Sequence, residues 1–194
     1  MEVKVVLCLC ILLHYRPLAS SYSGKLLYSV YTVIMEYDID TRNVTVLVEV
    51  GSSFVLAMDY NYKNRFIYFP RYDTGDIVRF AYPSKNRTLQ TVVQTDPYPL
   101  GIAVDSTNEH IYWVAPAYTN ALSRCNLDGS NLTLLTTLSV PYVVRLDVIN
   151  RWMYIVKAYI GVMKLRFDLA DQQMIVNITS STIIHCMGIG IYLC

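Results

Sequence analysis

Catalysis needs groups that move protons or attack carbon, and this chain offers few in a usable pattern. Beyond its first 21 residues it has two histidines, His110 directly after Glu109 in a turn-like stretch and His185 near the end. No Gly-x-Ser-x-Gly elbow, HExxH helix, phosphate-binding glycine loop or CxxC pair occurs. Asp38-Ile39-Asp40 lacks the glycine and the distant glutamate of a calcium loop. Three acids recur, Asp59, Asp105 and Asp147, each ending a small or apolar stretch seven to nine residues before a tyrosine. Acids at recurring strand ends serve turn amides more often than acid–base chemistry. The reading is therefore no enzyme, no cofactor and no metal.

Tyrosine is what the chain has in quantity, 17 of 194 residues, beside 54% hydrophobic and only 16% charged residues and a net charge of +1. A nucleic-acid binder would carry a basic stripe, so that class is excluded. Tyrosine with Val, Ile and Thr suits half-buried strands, and an aromatic excess also suits a contact surface.

The elements that position these residues are announced by a repeat. Tyr28, Tyr68, Tyr112 and Tyr154 stand 40, 44 and 42 residues apart, and Glu36, Arg79, Arg124 and Arg166 follow them by 8 to 12. The third copy reads most clearly: a short strand over 100–105, a turn, a second strand over 110–114, a loop holding Pro116, a third strand over 121–127, the turn Asp128-Gly129, and a fourth strand over 132–138. Asp-Gly between two strand-like runs marks a hairpin, because glycine tolerates the positive φ the turn demands. Four strands in a forty-odd-residue period describe a β-propeller blade, and no apolar stripe of helical spacing competes. The repeats run over about 26–50, 51–95, 96–138 and 139–182. Met187-Gly188-Ile189-Gly190-Ile191 lines up with Leu100-Gly101-Ile102-Ala103-Val104, so 183–194 reads as the first strand of a fifth blade. The fold expected is all-β, an incomplete propeller over 22–194.

Residues 1–21 stand apart. Lys4, a nine-residue apolar run over 5–13 and the small residues Ala19-Ser20-Ser21 read as a cleaved secretory leader, with a buried N-terminal strand as the alternative. The run is half the ~20 residues a membrane span needs, and no transmembrane segment is expected. Export makes cysteine informative. Cys125, Cys186 and Cys194 remain, an odd number, which leaves a free thiol, an intermolecular bridge or a pairing of Cys186 with Cys194 open; Cys125 reads as a buried small hydrophobe.

The run over 100–135, LGIAVD…IYW…LSRCNLDGSNLTLL, resembles the low-density-lipoprotein receptor class B, or YWTD, repeat, and the resemblance covers about 26–192, strong in the third repeat, moderate in the second and fourth and weak in the first. It departs in the naming box, which reads Tyr112-Trp113-Val114-Ala115, Tyr68-Phe69-Pro70-Arg71 and Tyr154-Ile155-Val156-Lys157. The tyrosine survives and the Thr and Asp do not, which puts the family's blade-to-blade bonding in doubt. Family propellers close with six blades, so this chain implies either a truncated product or partner chains that complete the ring. The resemblance implies an extracellular, secreted or receptor-derived module that binds a protein ligand, in uptake or Wnt-type signalling. A matrix component of nidogen type is the alternative. A propeller hydrolase with an axial metal would need a ring of carboxylates and Asn where the inner strands offer Ala57, Ala103 and Arg145.

Four sequons begin at Asn43, Asn86, Asn131 and Asn177; the first three lie seven residues after Glu36, Arg79 and Arg124. In an up-down blade the 1–2 and 3–4 turns share one end, where these three would gather sugar. The opposite end, which the resembled family uses for ligands, is expected to stay bare. It should carry Phe54, Tyr98 and Tyr142 from the inter-blade connections, and Arg71, Tyr72, Asp73, Tyr118 and Tyr159 from the 2–3 loops. Arg145, in the place of Ala57 and Ala103, would point into the central channel or lie on its wet side.

Overall fold

The computed structural model describes residues 7–12 and 24–178 and contains four antiparallel four-stranded sheets, with no helix among the described residues. The first blade is β1 (Leu7–Leu12), β2 (Lys25–Val30), β3 (Val33–Asp38) and β4 (Val44–Glu49). The second is β5 (Asp59–Asn61), β6 (Phe66–Arg71), β7 (Asp76–Ala81) and β8 (Gln90–Gln94). The third is β9 (Ile102–Asp105), β10 (His110–Ala115), β11 (Ala121–Asn126) and β12 (Thr133–Thr137). The fourth is β13 (Pro141–Asp147), β14 (Trp152–Lys157), β15 (Gly161–Arg166) and β16 (Gln173–Asn177). In every sheet the order in space is the order in sequence, as a meandering blade requires. The inner strands β5, β9 and β13 lie against their neighbours, so the four sheets are blades of an incomplete propeller. The segment expected to begin a fifth blade, with His185, Cys186 and Cys194, lies outside the described residues.

Strand β1 falls inside the apolar run read as a leader. It pairs with β2 from Leu7 opposite Val30 to Leu12 opposite Lys25, so the run has strand character as well as the composition of a leader. A short run rich in Leu, Val and Ile suits a leader core and an inner strand alike.

Blades with neighbours on both sides bury both faces. Ile67, Tyr68 and Phe69 are successive residues of β6 and none is exposed, although their side chains alternate in direction. Leu27 and Ile34, then Ile67, Phe69 and Phe80, then Ile111, Trp113 and Cys125 form one core through the first three blades. Tyr112, Val114 and Leu122 with Met153, Ile155, Leu165 and Phe167 form another between the third and fourth. Each fully buried aliphatic or phenylalanine side chain stabilises by about 1.5–3 kcal/mol. Cys125 lies in the first of these cores, free and buried as a small hydrophobe, as expected. A bulge recurs at one place in all four blades, between Ile34 and Met35, Ile77 and Val78, Leu122 and Ser123, and Val162 and Met163. It raises the twist where strand 3 meets strand 4.

Pairing corrects the alignment of the repeats. Tyr68 faces Arg79 and Tyr112 faces Arg124, as their spacing suggests. Tyr154, however, faces Lys164 rather than Arg166, which sits opposite Trp152. In the first blade Leu27 faces Glu36, so Leu27 is the equivalent of the tyrosines, and Tyr28 points to the other face. Asp105 and Asp147 accept turn amides, from Thr107 and Asn108 and from Asn150, at 3.0 Å. In the second blade that work falls to Asn61, which accepts from Lys63 and Asn64; Asp59 lies two residues earlier and faces Tyr68.

Candidate binding surface at the loop end

Backbone bonds establish which loops share an end. Leu127 donates to Glu109, Tyr82 to Arg65 and Phe167 to Arg151, joining 3–4 turns to 1–2 turns. Thr95 donates to Gly75, Leu138 to Asn120 and Ala158 to Val140, joining the connections between blades to the 2–3 loops. The parity argued from the sequence therefore holds.

At the second of these ends the structure brings the named aromatics together. Tyr72 lies 4.9 Å from Tyr98, centre to centre, and Tyr98 stacks on Tyr118 at 5.9 Å with 26° between the rings. Tyr142 lies beside Tyr72 and Tyr159; burial first, then those phenols, raise its pKa. Tyr72 is likewise raised, by burial, then by Asp73 and Tyr98. Phe54 belongs to a second group, 6.1 Å from Tyr31, a residue the sequence reading passed over because the first repeat is the weakest. Tyr118 is 84% exposed and Tyr159 52%, while Tyr72, Tyr98 and Tyr142 are half-buried, so the row is partly open to solvent and partly packed onto the blades.

Several of these tyrosines take left-handed backbone: Tyr31, Tyr98, Tyr118 and Tyr159 have φ between 54° and 64°. Bulky side chains seldom adopt that region, and each such residue costs on the order of 1–2 kcal/mol. At the turn end the same conformation falls to Arg65, Glu109 and Arg151. Glycine would relieve the strain at either end; the loop end keeps rings instead.

The charged residues expected here hold the rim. Arg71 forms a two-point pair with Asp76, Nε to Oδ1 at 2.8 Å and Nη2 to Oδ2 at 2.5 Å, and Asp76 is fully buried. Asp73 accepts the Phe54 amide at 3.0 Å and donates its own amide to Ser53 Oγ at 3.0 Å. Arg145 stands apart from this group. It faces Tyr154 as Ala103 faces Tyr112, so its counterpart in the second blade is Asp59 and not Ala57. Its Nη1 donates to Ile102 O at 3.2 Å and Val144 O at 3.0 Å. Burial raises the pKa of Asp59 against the lowering effect of the Val104 amide and of Arg145. The inner strands of the second, third and fourth blades thus offer one acid, one alanine and one arginine at this level, and no group of three or more His, Cys, Asp or Glu among the described residues could hold a metal.

Asn43, Asn86 and Asn131 are exposed and sit before the outer strands at the turn end. Asn86 Oδ1 accepts the Thr88 hydroxyl at 2.6 Å. Asn177 differs: it is the last residue of β16, opposite Gly161, and so lies at the aromatic end. That end therefore carries one acceptor sequon, where the in-phase three had suggested none.

No protein-family model and no curated protein matches the sequence. Solved structures do match. A structure of the nidogen–laminin complex superposes with a TM-score of 0.72 at 14% identity, over 79% of this chain and 61% of that one. A gluconolactonase from Xanthomonas campestris gives 0.65 at 13%, over 78% and 58%, and virginiamycin B lyase from Staphylococcus aureus 0.60 at 16%, over 87% and 59%. The chain spans about three-fifths of each of these. Likeness at such identities shows the propeller fold alone.

Proposed function

We propose that this chain is an extracellular protein-binding module related to the class B propellers of low-density-lipoprotein receptor proteins, and that it takes a protein ligand on its aromatic loop end. The observation that carries this reading is the row Tyr72–Tyr98–Tyr118 with Tyr142 and Tyr159, its members half-buried to exposed and partly on left-handed backbone. Rigid amphipathic rings supply contact area at small entropic cost and are enriched among residues that dominate interfaces. The similarity to a nidogen propeller solved with laminin supports protein recognition as the kind of work. Export behind residues 1–21, and sugar on Asn43, Asn86 and Asn131 at the turn end, would leave most of the loop end accessible.

The experiment is binding of the secreted chain to immobilised laminin and to soluble ligands of lipoprotein-receptor propellers, before and after Tyr98→Ala with Tyr118→Ala. Binding lost without a change in melting temperature supports the surface. Binding retained by the double variant removes it.

A further inference from the structure

The three junctions between blades are built on one plan. On the earlier blade, a strand-2 residue faces a strand-3 residue; over them lies the residue that follows strand 3 of the next blade. Leu27 and Glu36 receive Tyr82, whose hydroxyl donates to the Glu36 carboxylate. Tyr68 and Arg79 receive Leu127, with Arg79 Nη1 donating to Leu127 O at 3.1 Å. Tyr112 and Arg124 receive Phe167, its ring 5.5 Å from that of Tyr112. The three inserted residues are only 4%, 6% and 8% exposed.

Among the described residues, the two terminal blades carry the unmated halves of this plan. On the first blade the corresponding residue is Ile39, whose amide donates to Gly24 O just as Tyr82, Leu127 and Phe167 donate to residues before strand 2. Ile39 is 49% exposed, and Asp40 beside it is exposed as well. On the fourth blade the receiving pair is Tyr154 and Lys164. Tyr154 is half-buried where Tyr68 and Tyr112 are wholly so. Lys164 makes no ion pair among the described residues; its Nζ rests 4.5 Å from the centre of the Trp152 ring, with the Arg166 guanidinium 3.8 Å from it. Charge matches too. Asp128 follows Leu127, and Arg79 on the preceding blade helps lower its pKa, after its bonds to Ser130. Asp40 follows Ile39 in the same way and would meet Lys164.

We propose that the chain associates with a second copy of itself, head to tail, Ile39 and Asp40 of one copy seating on Tyr154, Trp152 and Lys164 of the other. The contact is heterologous, so it closes a ring if the rotations sum to a turn and otherwise propagates. Two copies bring eight of the described blades, four from each chain, at the upper end of the roughly 4–8 that propellers use.

Sedimentation equilibrium of the full chain over a range of concentrations tests this. A mass above one chain that rises with concentration is expected. Asp40→Lys sets like charges against Lys164 and Arg166 and should weaken association at least about fivefold. Lys164→Glu should do the same, and the chain carrying both reversals should regain affinity. Asp40 is exposed and Lys164 half-buried against Trp152, so melting temperature is expected to hold for Asp40→Lys; should Lys164→Glu fail to fold, Ile39→Ser in place of it gives the second reading of the same contact. A monomer at every concentration, as when residues 179–194 cover the fourth blade, overturns the proposal. So does association indifferent to the reversals.

Discussion

The Asp59 carboxylate of the second blade accepts the Val104 amide of the third at 2.7 Å, across the junction nearest the propeller axis. It stands among several side-chain bonds that join neighbouring blades. Ser29 Oγ donates to Val55 O at 2.8 Å, Arg79 to Leu127 O, and Arg151 reaches the buried Asp105 at 3.3 Å. Side-chain bonds between neighbouring blades thus run through the strand ends and strand 3.

Asp59 gives a pH dependence with a definite sign. Burial raises its folded pKa above the usual carboxylate value, so the folded chain holds this proton more tightly than the unfolded one. Its contribution is greatest below the unfolded pKa of about 4 and is lost as pH rises toward the folded value. Asp59→Asn keeps an acceptor for Val104 without the charge; it should flatten that part of the stability–pH curve and leave stability at pH 7 unchanged or higher. Asp59→Ala strands the Val104 amide and should cost about 1–3 kcal/mol. Urea denaturation from pH 4 to 7 separates the two.

His110 works in the opposite direction. It begins β10, where the sequence starts the second strand after a turn, but it is half-buried rather than exposed, its ring edge-on to Tyr112 and its Nδ1 buried without a hydrogen-bond partner. Burial, then Arg124, lowers its pKa, so stability from this group is present above about 6.5, the unfolded value, and lost as pH falls through the folded one. In urea titrations between pH 7 and 5, His110→Gln is expected to lose stability less steeply than the parent chain.

Much of this architecture was legible because the repeat is physical. A blade needs four short strands, and Asp128-Gly129 and the recurring Ile-Tyr runs mark where they turn and pack. Parity then placed Tyr98, Tyr118, Tyr142 and Tyr159 at one end without any coordinates. Register was harder to read. Tyr28 imitates the anchor by identity while Leu27 fills the position, because an apolar run carries no phase of its own. Asp59 imitates the turn acid while Asn61 caps the turn, since either residue accepts amides equally well. The stacking of Tyr72, Tyr98 and Tyr118 depends on the fan of the blades, which no local pattern encodes.

Two glycines separate backbone strain from collision. Gly129 has φ of 89° in the predicted hairpin turn, and a Cβ there would overlap Val92 O of the preceding blade. Gly51 has φ of 79° and nothing within 4 Å of such a Cβ. Gly51→Ala should therefore cost about 1–2 kcal/mol, the strain of a left-handed residue. Gly129→Ala carries that cost plus a displaced outer strand, with about 1–3 kcal/mol more for overpacking. Thermal melts of the pair should differ clearly; equal melting temperatures would mean that the two blades separate freely at this turn.

Cys125 reports on the same packing from within. Burial, with Asp128 a smaller cause, pushes its thiol up to about 12. Nucleophilic attack needs the thiolate, and at pH 8 a thiol so raised is protonated and out of reach. In a chain whose other cysteines are replaced by serine, a maleimide should label Cys125 only as fast as the blades open, and within minutes once urea has unfolded them. Rapid labelling of the native chain at pH 8 would place Cys125 outside the core shared by the first three blades, and the stacking of the second blade on the third would have to be redrawn.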